Sequence, residues 1–410
     1  MRALVLAAAL TAAGCAPRPV VSAAVAAGEL CDGPDAWPLV VEGGRLFVDV
    51  VADGPRGPAP LRLMIDTGGN AHGVALYGRA AARLGARDVA ELPRALRVGG
   101  RIVSMPEGAS WVLVDDASPT SLVARARPGE CDGQIGAGWL SRRRVCVDAV
   151  ARRMGLGDPR ASTIAADEAA APLLLAEEAP LGARYAFVRA DIAGEPRTLL
   201  VDTGASAGML HERAFAPLTA RGPWAEVAAG DWDMIAGAHA TERVSSGALS
   251  IAGRSLGAAV FVSRADGTFP ALFTALPGGG PDGVLGADVW SRHRVLVDWS
   301  SGRLFSWPTA APTPPAARVP ISISFDLTGC PTVARAAADA QAEGLAPGDR
   351  LLRIEGREAC GVSHAELSRW LAAPEGKRLS VGRARAGRVE ELAVTSRGAL
   401  PRAPITGLDR

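Results

Sequence analysis

The phrase "LMIDTGGN", Leu63 to Asn70, returns as "LLVDTGAS", Leu199 to Ser206. Each copy sets three apolar residues before Asp-Thr-Gly, the pattern of a buried strand that runs straight into a carboxylate. A longer repeat surrounds the phrase. "CDGQIGAGWLSRRRVCVDAVARRMGL" (Cys131 to Leu156) and "PDGVLGADVWSRHRVLVDWSSGRLFSW" (Pro281 to Trp307) match in order: Asp-Gly, a short apolar strand ending in glycine, a helical turn with Trp and Ser-Arg, then a β-hairpin. Upstream of each aspartate, "GRLFVDVVADGPRGPAPLRLMID" and "ARYAFVRADIAGEPRTLLVD" alternate apolar residues across Asp-Gly or Ala-Gly-Glu-Pro turns. These blocks predict two homologous, mostly β lobes, each carrying one aspartate.

Two lobes that each present Asp-Thr-Gly, followed by an apolar-apolar-Gly strand, a helix and a hairpin, resemble the aspartic peptidases, in particular the retroviral-type (retropepsin-like) β-barrel lobe fused twice. The resemblance implies that Asp66 and Asp202 form a catalytic dyad. Metal-free peptide hydrolysis needs one carboxylate to take a proton from water and another acid to give one to the scissile carbonyl. Two carboxyls held close cannot both ionise, so they share a proton and titrate as a pair. The same resemblance implies that the Thr67 and Thr203 hydroxyls bond across to the opposite lobe's backbone, and that Gly68 and Gly204 pass close to the acids. Ser206 matches a supporting hydroxyl whose place in the first copy is taken by Asn70. The glycines of "QIG" (Gln134 to Gly136) and "VLG" (Val284 to Gly286) are expected behind the loops, with Gln134 interrupting the apolar pattern. Flap hairpins are expected from Ala229 to Gly247 and from Leu92 to Trp111, with Trp232 and Met234 as candidate substrate contacts. Asp148 and Asp298, and Asp132 and Asp282, also repeat, at an offset of 150 (282 − 132), and read as structural turn residues.

Other chemistries find less support. The five histidines show no metal-ligand spacing, and neither a Gly-x-Ser-x-Gly elbow nor a phosphate loop occurs. No metal and no cofactor is expected. A net charge of +1 with scattered basic residues leaves no nucleic-acid footprint. A glycosidase also pairs two acids, but its acids need no Thr-Gly after each one. A catalytically silent, membrane-tethered peptide-binding protein is the alternative, yet it would have no chemical reason to keep both acids.

"MRALVLAAALTAAGCAP" joins one basic residue to an apolar stretch and Gly14-Cys15, a signal peptide too short to be a permanent membrane span. Small residues before Cys15 resemble a lipoprotein cleavage site, with Cys15 lipidated; the alternative is an ordinary secretory signal cut near Ala16. Either places the protein outside the cytoplasm, in the periplasm or cell envelope; in the lipoprotein case it touches the membrane by its lipid anchor alone. Export permits disulfides. Cys146 aligns with Leu296 and is expected as a core thiol, leaving Cys31–Cys131 and Cys330–Cys360 as the expected pairs among several possible connectivities.

The expected organisation is a signal peptide (1–15), an N-terminal linker (16–37), a first lobe (38–157), a connector (158–180), a second lobe (181–307), a proline-rich linker (308–317), a third domain (318–398) and a tail (399–410). In the third domain, "EGLAPGDRLLRIEGREA" (Glu343 to Ala359) and the helix-like "SHAELSRWLAA" resemble a PDZ domain of α+β type. That implies capture of a peptide C-terminus or an extended peptide beside "ISISFD" (Ile321 to Asp326). The partners expected overall are a polypeptide substrate and that peptide. One chain suffices as a monomer, because it already holds two aspartates.

Overall fold

The computed structural model describes residues 29–42, 45–115, 131–159, 170–178, 181–205, 207–222, 224–228, 241–264, 280–309, 319, 321–326, 328–336, 338–362 and 364–397. The chain is mostly β. In the first lobe Arg45–Gly54 and Gly57–Ile65 form a hairpin whose alternating burial follows from its apolar/polar alternation. In the second, Ala183–Ile192 and Glu195–Val201 do the same. Ala193 and Gly194, at φ 52° and 86°, make the tight turn there; two positive φ values match the twist of the flanking strands.

Each motif strand then takes a parallel partner from far along the chain: Gly57–Ile65 pairs with Gly133–Ile135, and Glu195–Val201 with Gly283–Leu285. Asp132 and Asp282 fix these pairings by identical means. The Asp132 amide donates to the Arg62 carbonyl while its carboxylate accepts from the Arg62 amide at 2.9 Å. Asp282 does the same with Thr198, also at 2.9 Å. They are therefore strand clamps as well as residues before a glycine, and Asp132 gains a 2.7 Å ion pair with Arg83.

Beneath the lobes a shared sheet runs Trp37–Pro38, Arg153–Gly157, Arg144–Asp148, His293–Asp298, Arg303–Pro308, Ala170–Glu178. Its central pair is antiparallel, with Arg144 opposite Asp298, Cys146 opposite Leu296 and Asp148 opposite Arg294. A pseudo-twofold axis thus passes between Cys146 and Leu296. Arg144 reaches Asp298 at 3.0 Å and Arg294 reaches Asp148 at 2.8 Å, so the aspartates expected in hairpin turns also join the lobes. They keep the turn role too: Asp148 accepts from the Ala151 amide, and Asp298 from the Ser300 and Ser301 amides.

Three expectations are corrected here. Cys31 bonds to Cys146, not to Cys131. Cys146 does occupy a core position, beside Leu296 and Phe305, but the helix Glu29–Asp32 lies on that face and brings Cys31 to it. Cys131 keeps a buried thiol among Phe47, Met64 and Tyr77, and donates to the Gly133 carbonyl. The connector contains a strand, Ala170–Glu178, which bridges Arg303–Pro308 and Ala183–Ile192. The N-terminal linker likewise holds the helix Glu29–Asp32 and the strand Trp37–Pro38.

The third unit has its own core, including Val333, Leu351, Leu367 and Val381. Strands Ile321–Phe325, Pro331–Ala336, Arg350–Ile354, Arg357–Glu358, Arg378–Arg385 and Arg388–Thr395 form one sheet, accompanied by helices Ala338–Ala342 and His364–Leu371. A disulfide joins Cys330 to Cys360. Asp349, from the "PGD" turn, is fully buried; burial pushes its pKa up, but bonds from Arg385, the Ala346 amide and Arg383 outweigh this and hold it below the usual carboxylate range.

Candidate active site

Ile65 and Val201 end the two motif strands, and the next residue in each case is a buried aspartate. The Asp66 amide donates to the Ile135 carbonyl at 2.9 Å and the Asp202 amide to the Leu285 carbonyl at 3.2 Å, so each acid is tied to the strand behind it. Gly136 and Gly286 follow those strands. A Cβ on Gly136 would come within 2.5 Å of the Gly69 and Asn70 carbonyl oxygens, and one on Gly286 within 2.2 Å of the Ala207 carbonyl oxygen. Only a bare backbone lets the loops pack this closely.

The two threonines lock the loops together with near-perfect reciprocity. The Thr67 hydroxyl donates to the Val201 carbonyl (2.8 Å) and accepts from the Thr203 amide (3.0 Å). The Thr203 hydroxyl donates to the Ile65 carbonyl (2.8 Å) and accepts from the Thr67 amide (3.1 Å). All four bonds cross from lobe to lobe, between the residues that precede and follow the aspartates.

Gly68 and Gly204 then bring each loop against the opposite acid. A Cβ on Gly68 would lie 2.4 Å from Asp202 Cγ, and one on Gly204 would lie 2.6 Å from Asp66 Cγ. Their amides turn back to their own lobe's acid: Gly68 donates to Asp66 Oδ1 at 3.1 Å and Gly204 to Asp202 Oδ1 at 2.7 Å. Asp202 receives a further bond from the Ala205 amide at 3.3 Å.

Burial, then the charge of Asp202 and a hydrogen bond with it, push Asp66 well above the ordinary carboxylate range. Burial also raises Asp202, but the Gly204 amide, the Asp66 side chain and the Ala205 and Gly68 amides oppose the shift. The pair therefore holds one proton in common and titrates as a pair. Backbone N–H groups stand in for water at both carboxyls: those of Gly68 and Gly69 lower Asp66, and those of Gly204, Ala205 and Gly68 lower Asp202.

Beyond the dyad the half-sites diverge. Asn70 adopts φ 48°, and its Oδ1 accepts from the His72 amide at 3.2 Å while its buried Nδ2 has no partner among the described residues. Ser206, Trp232 and Met234 lie outside the described residues, as does Cys15. Sequence reasoning missed Trp290, whose indole donates to the Asp202 carbonyl at 3.0 Å. Aligning Gly136 with Gly286 sets Leu140 opposite Trp290, so the first lobe cannot make this bond.

The two hairpins expected as flaps behave differently. In the second lobe Trp224–Ala228 pairs with the start of Thr241–Ile251, on either side of the expected flap tip. In the first lobe the hairpin Ala95–Val98 and Arg101–Ser104 instead pairs with Arg45–Gly54, and its turn at Gly99 packs toward Pro38 of the shared sheet. It is therefore not a cover for the dyad. Its counterpart is the stretch near Ile251, which pairs with Ala190 to Ile192.

No protein-family model matches this chain, and no curated protein matches it. Among solved structures it is similar to basic 7S globulin from soybean, at 12% identity and TM-score 0.39, over 67% of this chain and 95% of that one. It is also similar to the aspartic proteinase from Irpex lacteus, at 13% identity and TM-score 0.38, over 68% and 98%. A photosystem II D1 C-terminal processing protease matches at 20% identity and TM-score 0.20, over 20% of this chain, which spans 23% of that protein's length.

Proposed function

We propose that this chain is an exported aspartic-type endopeptidase. The observation that carries the reading is the pair of buried, mutually coupled carboxyls on Asp66 and Asp202, held by the reciprocal threonine bonds. A structural aspartate gains nothing from burial against a second acid, whereas a proton-sharing pair is what metal-free peptide hydrolysis requires. In this reading a water between the acids loses a proton to the ionised member of the pair as its oxygen attacks the scissile carbonyl carbon. The proton held by the other member passes to the carbonyl oxygen, giving a neutral tetrahedral intermediate. Collapse of that intermediate breaks the C–N bond: the acid that took the water's proton returns it to the leaving amine, and a hydroxyl proton goes back to the other.

The third unit is assigned to peptide recruitment. The PDZ-like "EGLAPGD" turn and the position of Ile321–Phe325 at an edge of its sheet support strand addition of an extended peptide. Lipidation at Cys15 would tether the enzyme at the cell envelope. Incubating purified protein with unfolded polypeptide from about pH 3 to 8, beside an Asp66→Asn/Asp202→Asn control, tests the activity. Fragments from the wild type alone support it; none from either, or fragments from both, reject it.

A further inference from the structure

The first lobe places a carboxamide where the second has a hydrocarbon. Gln134 is the middle residue of Gly133–Ile135, opposite Met64 on one side and Ala75 on the other. The equivalent Val284 lies between Leu200 and Met209. Side chains alternate across a sheet. Leu63, Ile65, Val74, Leu76 and Ile135 fill the lobe interior, so Met64, Ala75 and Gln134 share the opposite face.

Two observations show where that face looks. In the second lobe, the matching residues Leu200 and Val284 cluster with Ala71 and Ala137 of the first lobe and with Ala205, beside the two Asp-Thr-Gly loops. In the first lobe, Met64 clusters with Tyr77, and Tyr77 is shifted upward by burial, then by Cys131 and by the charge of Asp66. Gln134 therefore lies in the wall beside the dyad. It is 7% exposed, and its Oε1 is buried with no hydrogen-bond partner among the described residues. A valine there would fill the wall without that penalty, as it does across the axis; an unpaired buried acceptor is retained at a cost unless something pairs with it.

We infer that Gln134 is a specificity-determining residue, and that its Oε1 accepts a hydrogen bond from a hydroxyl- or amide-bearing side chain of the substrate residue flanking the scissile bond on the first-lobe side. This rests on the peptidase reading and adds a substrate class to it: polypeptides cut beside an uncharged hydrogen-bond donor. A site built to bond a donor rejects the isostere that lacks one, because its own polar group is then left unpaired. For one neutral acceptor the discrimination is about 10- to 100-fold.

The test uses peptides identical except at the two residues flanking the cleaved bond, in Thr/Val and Gln/Met pairs. Wild type is expected to favour Thr over Val and Gln over Met by at least about 10-fold in kcat/KM at one of the two positions. Gln134→Val, which copies the second lobe, is expected to lose or reverse that preference while still cutting. In a parallel arm the Asp66→Asn/Asp202→Asn protein, with and without Gln134→Val, is titrated with the same peptides. This reads the pocket without turnover, so an inactive wild type would reject the peptidase reading while binding still decides the pocket. Equal kcat/KM and equal affinity within each pair, or a preference unchanged by Gln134→Val, would overturn the inference.

Discussion

A single methyl group at Gly68 should disable the site from the wrong lobe. Its ideal position is 2.4 Å from Asp202 Cγ and 2.6 Å from Asp202 Oδ2, whereas ordinary contact begins at 3.4 Å. In Gly68→Ala the Asp202 carboxyl must therefore withdraw by about 1 Å, a misplacement that costs about 100-fold in rate, or about 2.7 kcal/mol of barrier. Gly68 does not occupy the left-handed backbone region, so steric displacement, not strain at φ, is the cause. The displaced acid also raises Asp66 less, and the basic limb of the pH–rate profile should move toward acid, because that limb reports loss of the shared proton. A quenched fluorescent peptide read across pH gives both quantities. Wild-type kcat/KM together with an unmoved basic limb would refute the cross-lobe packing argument.

Three further outcomes are expected. Thr67→Val removes the donor to the Val201 carbonyl and the acceptor for the Thr203 amide at nearly constant volume; two groups left unpaired at about 1–3 kcal/mol each should cost about 2–6 kcal/mol in urea unfolding. Asp66→Asn should raise the melting temperature at neutral pH: the folded carboxyl titrates well above its ordinary 3.8, so wild-type stability is full below that value and is lost as pH rises through the folded one, while Asn does not titrate. The advantage of the variant should vanish below about pH 3.8, and an advantage that grew toward acid would contradict the burial of Asp66. Deleting 318–410 should leave cleavage of short peptides unchanged and slow cleavage of unfolded proteins, with equal losses on both rejecting recruitment.

The doubled Asp-Thr-Gly made the lobes and the dyad legible because the residues that create them are local: three apolar positions, an acid, a hydroxyl and a bare backbone. Contacts between distant segments were less legible. Cys146 satisfies both an aliphatic position opposite Leu296 and a bridge to Cys31, and only the placement of Glu29–Asp32 shows the second role. Ala170–Glu178 carries little alternation of its own and becomes a strand by pairing with sheet edges on both sides. Trp290 looked interchangeable with Trp139, yet a one-residue offset decides which indole reaches an aspartate carbonyl. Gln134 was visible as a break in an apolar pattern; its unpaired oxygen was not.

The claim that Asp66 and Asp202 work as one proton-sharing pair is tested most directly by the pH dependence of kcat/KM for the wild type, Asp66→Asn and Asp202→Asn on one peptide. The wild type should give a bell with two macroscopic limbs, the upper one above the ordinary carboxylate range because the shared proton is held by burial and by the second acid. Each single variant should fall by at least about 10³-fold, since neither acid can supply both proton transfers. Either variant cutting at near the wild-type rate, with a wild-type bell, would contradict it.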